Sequence, residues 1–176
     1  MKRLWLLRHA SSGCDDMSLS DRYRPIDACG ERELAWLSRW AREHGELPQC
    51  IVSSPAQRAL DTAQVLADAA GLRAQEIRVD ARLYEGSARH LMEVVAELDN
   101  RCSHAAVVGH NPELADLGRH LAAELTHLPS AGIAALDFDA DSWRDALRSR
   151  VIRATLFAPP QRSAHALSDS PSWVSP

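Results

Sequence analysis

The chain has 176 residues, 45% of them hydrophobic, and a formal charge of −4 with its histidines neutral. That length supports one core but not two ordinary domains. The mildly acidic balance gives no basic field, which argues against nucleic acid or an anionic membrane as a partner.

Taken in chain order, short apolar runs alternate with amphipathic stretches, the pattern of β-α units. Strands are expected at 4–7, 50–53, 77–79, 105–109, 133–138 and 151–157, the last two close enough to pair. A first helix is expected over 31–44, with Leu34, Leu37 and Trp40-Ala41 at helical spacing and Trp36 and Trp40 as packing residues. A second opens Ser54-Pro55-Ala56-Gln57, where serine suits the cap, proline the first helical position and glutamine the capping box, and it stops at Gly71. A third is expected over 87–98. A fourth opens Asn111-Pro112, repeating the cap-then-proline device, and carries Leu114, Leu117, Leu121 and Leu125. Residues 1–160 are expected to form the domain, and the Pro- and Ser-rich stretch 161–176 a poorly ordered tail.

The run at 4–7 imitates a signal peptide, but Arg8-His9 interrupts it, and no run approaches the length of a membrane span. A cytoplasmic location is expected. Cys14, Cys29, Cys50 and Cys102 show no C-x-x-C or zinc-ligand spacing and read as reduced, mostly structural thiols. His44, His90, His104, His120, His127 and His165 are assigned to helix faces, loops or the tail, with their rings solvated.

Three strand ends carry chemistry. Arg8-His9 runs into the small-residue loop Ala10-Ser11-Ser12-Gly13, which lets backbone amides approach an anion. Ser53-Ser54-Pro55-Ala56-Gln57-Arg58 places Arg58 in the first turn of a helix, where negative charge is favoured. Gly109-His110-Asn111-Pro112 sets His110 just before another helix. Singly, each is an ordinary turn or helix start, but their joint order after three apolar strands is specific. In an open parallel sheet the carboxyl ends of strands share one crevice, so Arg8, His9, Arg58 and His110 are expected to form a single pocket. Two guanidiniums grip a phosphate through charge-assisted bonds. A neutral imidazole within that grip can attack phosphorus. Arg24, in turn, is read mainly as a partner of Asp21.

Leu7-Arg8-His9-Ala10, Ser53-Ser54-Pro55-Ala56-Gln57-Arg58 and Gly109-His110-Asn111-Pro112 together resemble the histidine phosphatase superfamily, and its short SixA-type phosphohistidine phosphatases in particular. Asp21 to Asp27 with Gly30, Leu83-Tyr84 and Pro129 to Ile133 add to the likeness, which extends over about residues 1–160. The resemblance implies a phosphoglycerate mutase-like fold, a three-layer α/β/α sandwich whose mostly parallel sheet has an antiparallel C-terminal edge. It implies His9 as the phosphorylated nucleophile, Arg8 and Arg58 as phosphoryl ligands and His110 as a stabiliser of transferring charge, with no metal and no cofactor. Ala10 replaces the glycine found in much of the superfamily. Larger members carry a glutamate acid after the second arginine; Glu85 is its nearest counterpart here, with Asp15 and Asp16 as rival acids. The expected substrate is a phosphohistidine on a partner protein. The alternatives are a small phosphorylated metabolite, met by a phosphomonoesterase or phosphomutase, and a phosphate-binding interaction module without turnover. The sequence assigns no oligomeric state.

Overall fold

A computed structural model describes residues 1–13 and 18–160. The expected tail, Cys14, Asp15, Asp16 and His165 lie outside the described residues. Six strands, β1 (Lys2–Arg8), β2 (Cys50–Ser53), β3 (Ile77–Val79), β4 (His104–Gly109), β5 (Ile133–Phe138) and β6 (Val151–Phe157), form one sheet in the order β3-β2-β4-β1-β5-β6. Strands β1 to β4 run parallel, β5 pairs antiparallel with β1, and β6 pairs antiparallel with β5. The chain therefore has the expected α/β fold, with β5 the strand that runs against its neighbours. Strand β4 inserts between β1 and β2, which brings the carboxyl ends of these three strands side by side.

The helices are α1 (Ala28–His44), α2 (Gln57–Ala70), α3 (Arg82–Glu85), α4 (Ala88–Ala96), α5 (Glu113–Leu121) and α6 (Trp143–Ala146). Successive side chains of a strand point to opposite faces, and β1 feeds both. Leu4 and Leu6 join Val94, Val95, Leu114 and Leu117 from α4 and α5, while Trp5 and Leu7 join Leu37, Ala59, Ala63 and Leu66 from α1 and α2. This double burial explains the unbroken apolar run at 4–7. Each such leucine contributes about 1.5–3 kcal/mol relative to exposure.

Several helix boundaries differ from expectation because polar side chains are drawn to the sheet edge. Helix α1 starts at Ala28, where the Asp27 carboxylate accepts from the Gly30 N–H at 2.8 Å. Helix α2 starts at Gln57 with Ala56 at its cap, since the Ser54 hydroxyl is held by His110 Nε2 at 2.7 Å. Asn111 likewise does not cap α5: its amide donates to the Leu128 carbonyl at 2.8 Å. Helix α5 ends at Leu121, so Leu125 is buried from the turn beyond it. The expected third helix is α4, shortened at its C-terminal end and preceded by the separate turn α3.

The reading of the cysteines as reduced thiols is corrected at one pair. Cys50 and Cys102 form a disulfide, their Cα atoms 6.5 Å apart, because β2 and β4 are paired neighbours with Cys50 opposite Ala105. Cys29 is free and exposed. Among the described residues no helix is long and apolar enough to cross a membrane.

His104 is also corrected: it lies on β4 and is only 8% exposed, with the Trp5 ring edge-on at 4.6 Å. His44, too, leaves solvent in part, stacking on Trp40 at 4.4 Å. Burial, with Arg3 nearby, pushes His104 down from 6.5 to about 4. Its folded-state value is below its unfolded value, so the unfolded chain binds the extra proton between those limits. Stability is therefore fullest above pH 6.5 and falls as the pH drops toward 4, by about 3 kcal/mol for this group. Urea midpoints at pH 7 and pH 4.5 should show that loss, with a shallower slope in His104→Leu; equal slopes would contradict it.

Candidate active site

Arg8 ends β1, and the ladder continues past it: the Arg8 N–H donates to the Gly132 carbonyl and the His9 N–H to the Gly109 carbonyl. His9 is thus fixed between β4 and the entrance to β5. Ser53 ends β2, after which the chain turns into α2 and sets Arg58 in its first turn; Gly109 ends β4 and is followed by His110. Arg8, His9, Arg58 and His110 come together in a pocket of about 660 Å³, which Asp21, Arg24, Tyr84, Glu85 and Glu113 also line.

The tautomer of His9 follows from its hydrogen bond. Nδ1 lies 2.7 Å from the Ala10 carbonyl, which can only accept, so Nδ1 carries the proton and Nε2 holds the lone pair. Burial is the main cause of a depression of His9 from 6.5 to about 4, with Arg58, Arg8 and Arg24 adding to it against the Ala10 bond. His9 is therefore neutral at pH 7 without help from a base. His110 is held down to about 3, first by burial and then by His9 and Arg58. The two rings lie 4.9 Å apart. Arg58 Nη2 donates to His110 Nδ1 at 3.5 Å, so Nδ1 holds the lone pair and Nε2–H donates to Ser54 Oγ at 2.7 Å.

Arg58 is nearly buried, and its fork is held by the exposed Asp21: Nη1 donates to the Asp21 carbonyl at 2.6 Å and Nη2 to its carboxylate at 2.8 Å. Asp21 also accepts from the Tyr84 hydroxyl at 2.9 Å and pairs with Arg24 at 3.0 Å. Burial pushes the Asp21 carboxyl upward, but these bonds and charges outweigh it and hold the group below its ordinary value. Arg24 thus pairs with Asp21 and lines the pocket as well. Arg8, Arg24 and Arg58 each keep a buried Nε–H without an acceptor. Three guanidinium groups around one polar hollow are the chemistry of an anion site.

The loop after His9 is pinned by Asp27 and Ser130, from segments that carry the family likeness, and by Glu33 and Thr62, which no motif flagged. Glu33 accepts from the Ser11 N–H at 2.7 Å and from the Ser130 hydroxyl at 2.6 Å. Asp27 accepts from the Ser11 hydroxyl at 2.8 Å, and the Ala10 N–H donates to Thr62 Oγ1 at 3.0 Å. Thr62 in turn donates to the Arg58 carbonyl, linking the His9 loop to the helix of Arg58. The one signal in sequence was Glu33 and Thr62 as polar residues on otherwise packed helices. Gly30 is buried against the same loop: a Cβ there would stand 2.1 Å from the Ser11 carbonyl oxygen and 2.7 Å from Ile26 Cγ2. Gly30→Ala should therefore cost about 2 kcal/mol of stability and reduce turnover by moving the loop. An unchanged urea midpoint and kcat would contradict that packing.

Of the acid candidates, Glu85 lies at the end of α3 on the pocket wall. Asp15 and Asp16 lie outside the described residues.

An imidazole with a free nitrogen, set among arginines at the carboxyl edge of a parallel sheet, is equipped for phosphoryl transfer. The pattern describing the histidine phosphatase superfamily (branch 1) matches residues 4–105, and the chain belongs to that superfamily. It is 29% identical over 153 residues to an uncharacterized chloroplastic protein of Arabidopsis thaliana, covering 82% of this chain and 70% of that one. Its fold is similar to that of a SixA phosphohistidine phosphatase from Agrobacterium tumefaciens (TM-score 0.74, 24% identity, 90% and 98% of the two chains). It is similar also to the protein histidine phosphatase SixA complexed with tungstate (0.70, 20%, 88% and 94%). A mycobacterial glucosyl-3-phosphoglycerate phosphatase shares the fold at TM-score 0.63 and 20% identity over 89% and 97% of the chains.

Proposed function

We propose that the protein removes the phosphoryl group from phosphohistidine on a partner protein, through a phosphohistidine intermediate on its own His9. The observation that carries this reading is the lone pair on His9 Nε2, set by the Ala10 carbonyl, among Arg8, Arg24 and Arg58. Arg8 and Arg58 grip the phosphoryl oxygens, and His110, held between Arg58 and Ser54, completes the pocket beside His9 and steadies the transferring charge. Donors placed where charge develops supply the largest share of catalysis. His9 Nε2 forms its bond to phosphorus as the bond to the leaving nitrogen breaks, and that imidazole leaves with a proton. Water then attacks phospho-His9, releasing inorganic phosphate and restoring the free imidazole.

Glu85 is assigned as the donor of that proton. An imidazole leaving group asks less of an acid than an alkoxide does, so the Glu85 carboxylic acid gives the proton and its carboxylate takes one back from the attacking water. Among the described residues no element is set over the pocket as a lid, which favours a side chain presented from outside over an enclosed metabolite. The test compares kcat/KM for a phosphohistidine peptide with that for phosphoglycerate and sugar phosphates. The peptide is expected to lead by about 10-fold or more. A lead for the metabolites would transfer the assignment to a small-molecule phosphatase, and binding without turnover to a phosphate-reading module.

A further inference from the structure

A second hollow of about 460 Å³ adjoins the active site, and the two share Ser130. One wall is a single face of α1, where Arg32, Trp36 and Arg39 recur at helical spacing; the other is formed by Pro129, Pro159 and Pro160. The half-buried Trp36 ring is held in place by stacking on Trp40 at 5.8 Å. A tryptophan facing prolines makes an apolar trough that loses little entropy on binding. Glu33, the acid on this wall, is spent on the Ser11 N–H and the Ser130 hydroxyl. Arg32 and Arg39 are exposed and form no salt bridge among the described residues, the Asp27 carboxylate acting on Arg32 only at longer range. On a chain of net charge −4 this leaves a local cationic rim around an apolar floor, continuous with the phosphate pocket.

We infer that this trough docks the segment flanking the phosphorylated residue of the protein substrate, an extended stretch with an apolar side chain over Trp36 and carboxylates toward Arg32 and Arg39. The inference rests on the phosphohistidine-protein reading above and adds the substrate's sequence preference. Charge complementarity with the rim selects the acidic segment, and the shared Ser130 places that segment within a few residues of the phosphoryl group.

The experiment uses two phosphohistidine peptides, one flanked by Leu and Asp/Glu and one by Ser and Lys, with an aryl phosphate as reference. The wild-type protein is expected to favour the acidic flank by about 10-fold in kcat/KM, through KM, with added salt narrowing the gap. The double variant Arg32→Glu/Arg39→Glu, confined to exposed positions, should abolish that preference while hydrolysing the aryl phosphate at the wild-type rate. Trp36→Ala should raise KM for the acidic peptide. Equal use of both flanks by the wild-type protein, a preference that survives the double variant, or an equal loss on the aryl phosphate would overturn the inference while leaving the phosphohistidine reading intact. Hydrolysis of the aryl phosphate with neither peptide used would overturn both. A two-chain mass in light scattering that the double variant reduces to one chain would assign the trough to a second copy, again overturning it.

Discussion

His9→Ala is expected to lose turnover by on the order of 10⁵-fold in kcat while keeping the wild-type fold and most of its phosphate affinity. The reason is the division of labour in the pocket. Binding is spread over Arg8, Arg24, Arg58 and His110, whereas Nε2 of His9 is the candidate lone pair for a bond to phosphorus. Removing it leaves the grip but not the reaction, so competition by inorganic phosphate or vanadate should survive. Stability should change little, because the side chain removed carries a free nitrogen and one local bond to Ala10. Steady-state hydrolysis of a phosphohistidine peptide checks the first expectation and equilibrium phosphate binding the second. Activity within 10-fold of wild type would contradict the assignment of His9 as nucleophile.

Arg58→Ala is expected to cost on the order of 10³-fold in kcat/KM. Arg58 is 4% exposed and presents its fork at the edge of the pocket, where charge on the transferring phosphoryl group is held away from bulk water. Arg58→Lys should recover little, since an ammonium is a point charge without the paired N–H groups of the guanidinium. Stability should fall by only about 1 kcal/mol, because the partner, Asp21, is half exposed and can be hydrated. A loss of stability comparable to the loss of activity would make Arg58 a structural residue instead. Urea denaturation beside kinetics separates the two.

His9 directly follows one strand end and Arg58 lies in the first turn of the helix after another, and both positions are legible in the sequence for a local reason. An apolar run buried on both faces, followed at once by small or polar residues, marks both the strand and the point where it leaves the core. Three such points fall on neighbouring parallel strands, so their side chains must share one edge. The contacts that hold the site were not legible in the same way. Ser54 reads as a helix cap, yet its hydroxyl is 56 residues away in sequence from the imidazole it orients. Glu33 belongs to no motif, yet it ties Ser11 to Ser130. Asp21 reads as the partner of Arg24, three residues away, and also holds the fork of Arg58. His104 and the Cys50–Cys102 pair were misread for the same reason: their environments are set by which strands become neighbours, and β4 enters between β1 and β2 against sequence order. Local pattern carries the elements, while partners distant in sequence carry the polar contacts.

The most direct test of the central claim is the position of the phosphoryl group in the covalent intermediate. The protein is mixed briefly with a small phosphoryl donor such as phosphoramidate, quenched in alkali to preserve phosphoramidate bonds, and mapped by mass spectrometry and phosphorus NMR. Nε2 of His9 should carry the label in the wild-type protein, with none retained in His9→Ala. Label on another residue, or no label together with undiminished hydrolysis by His9→Ala, would contradict the account.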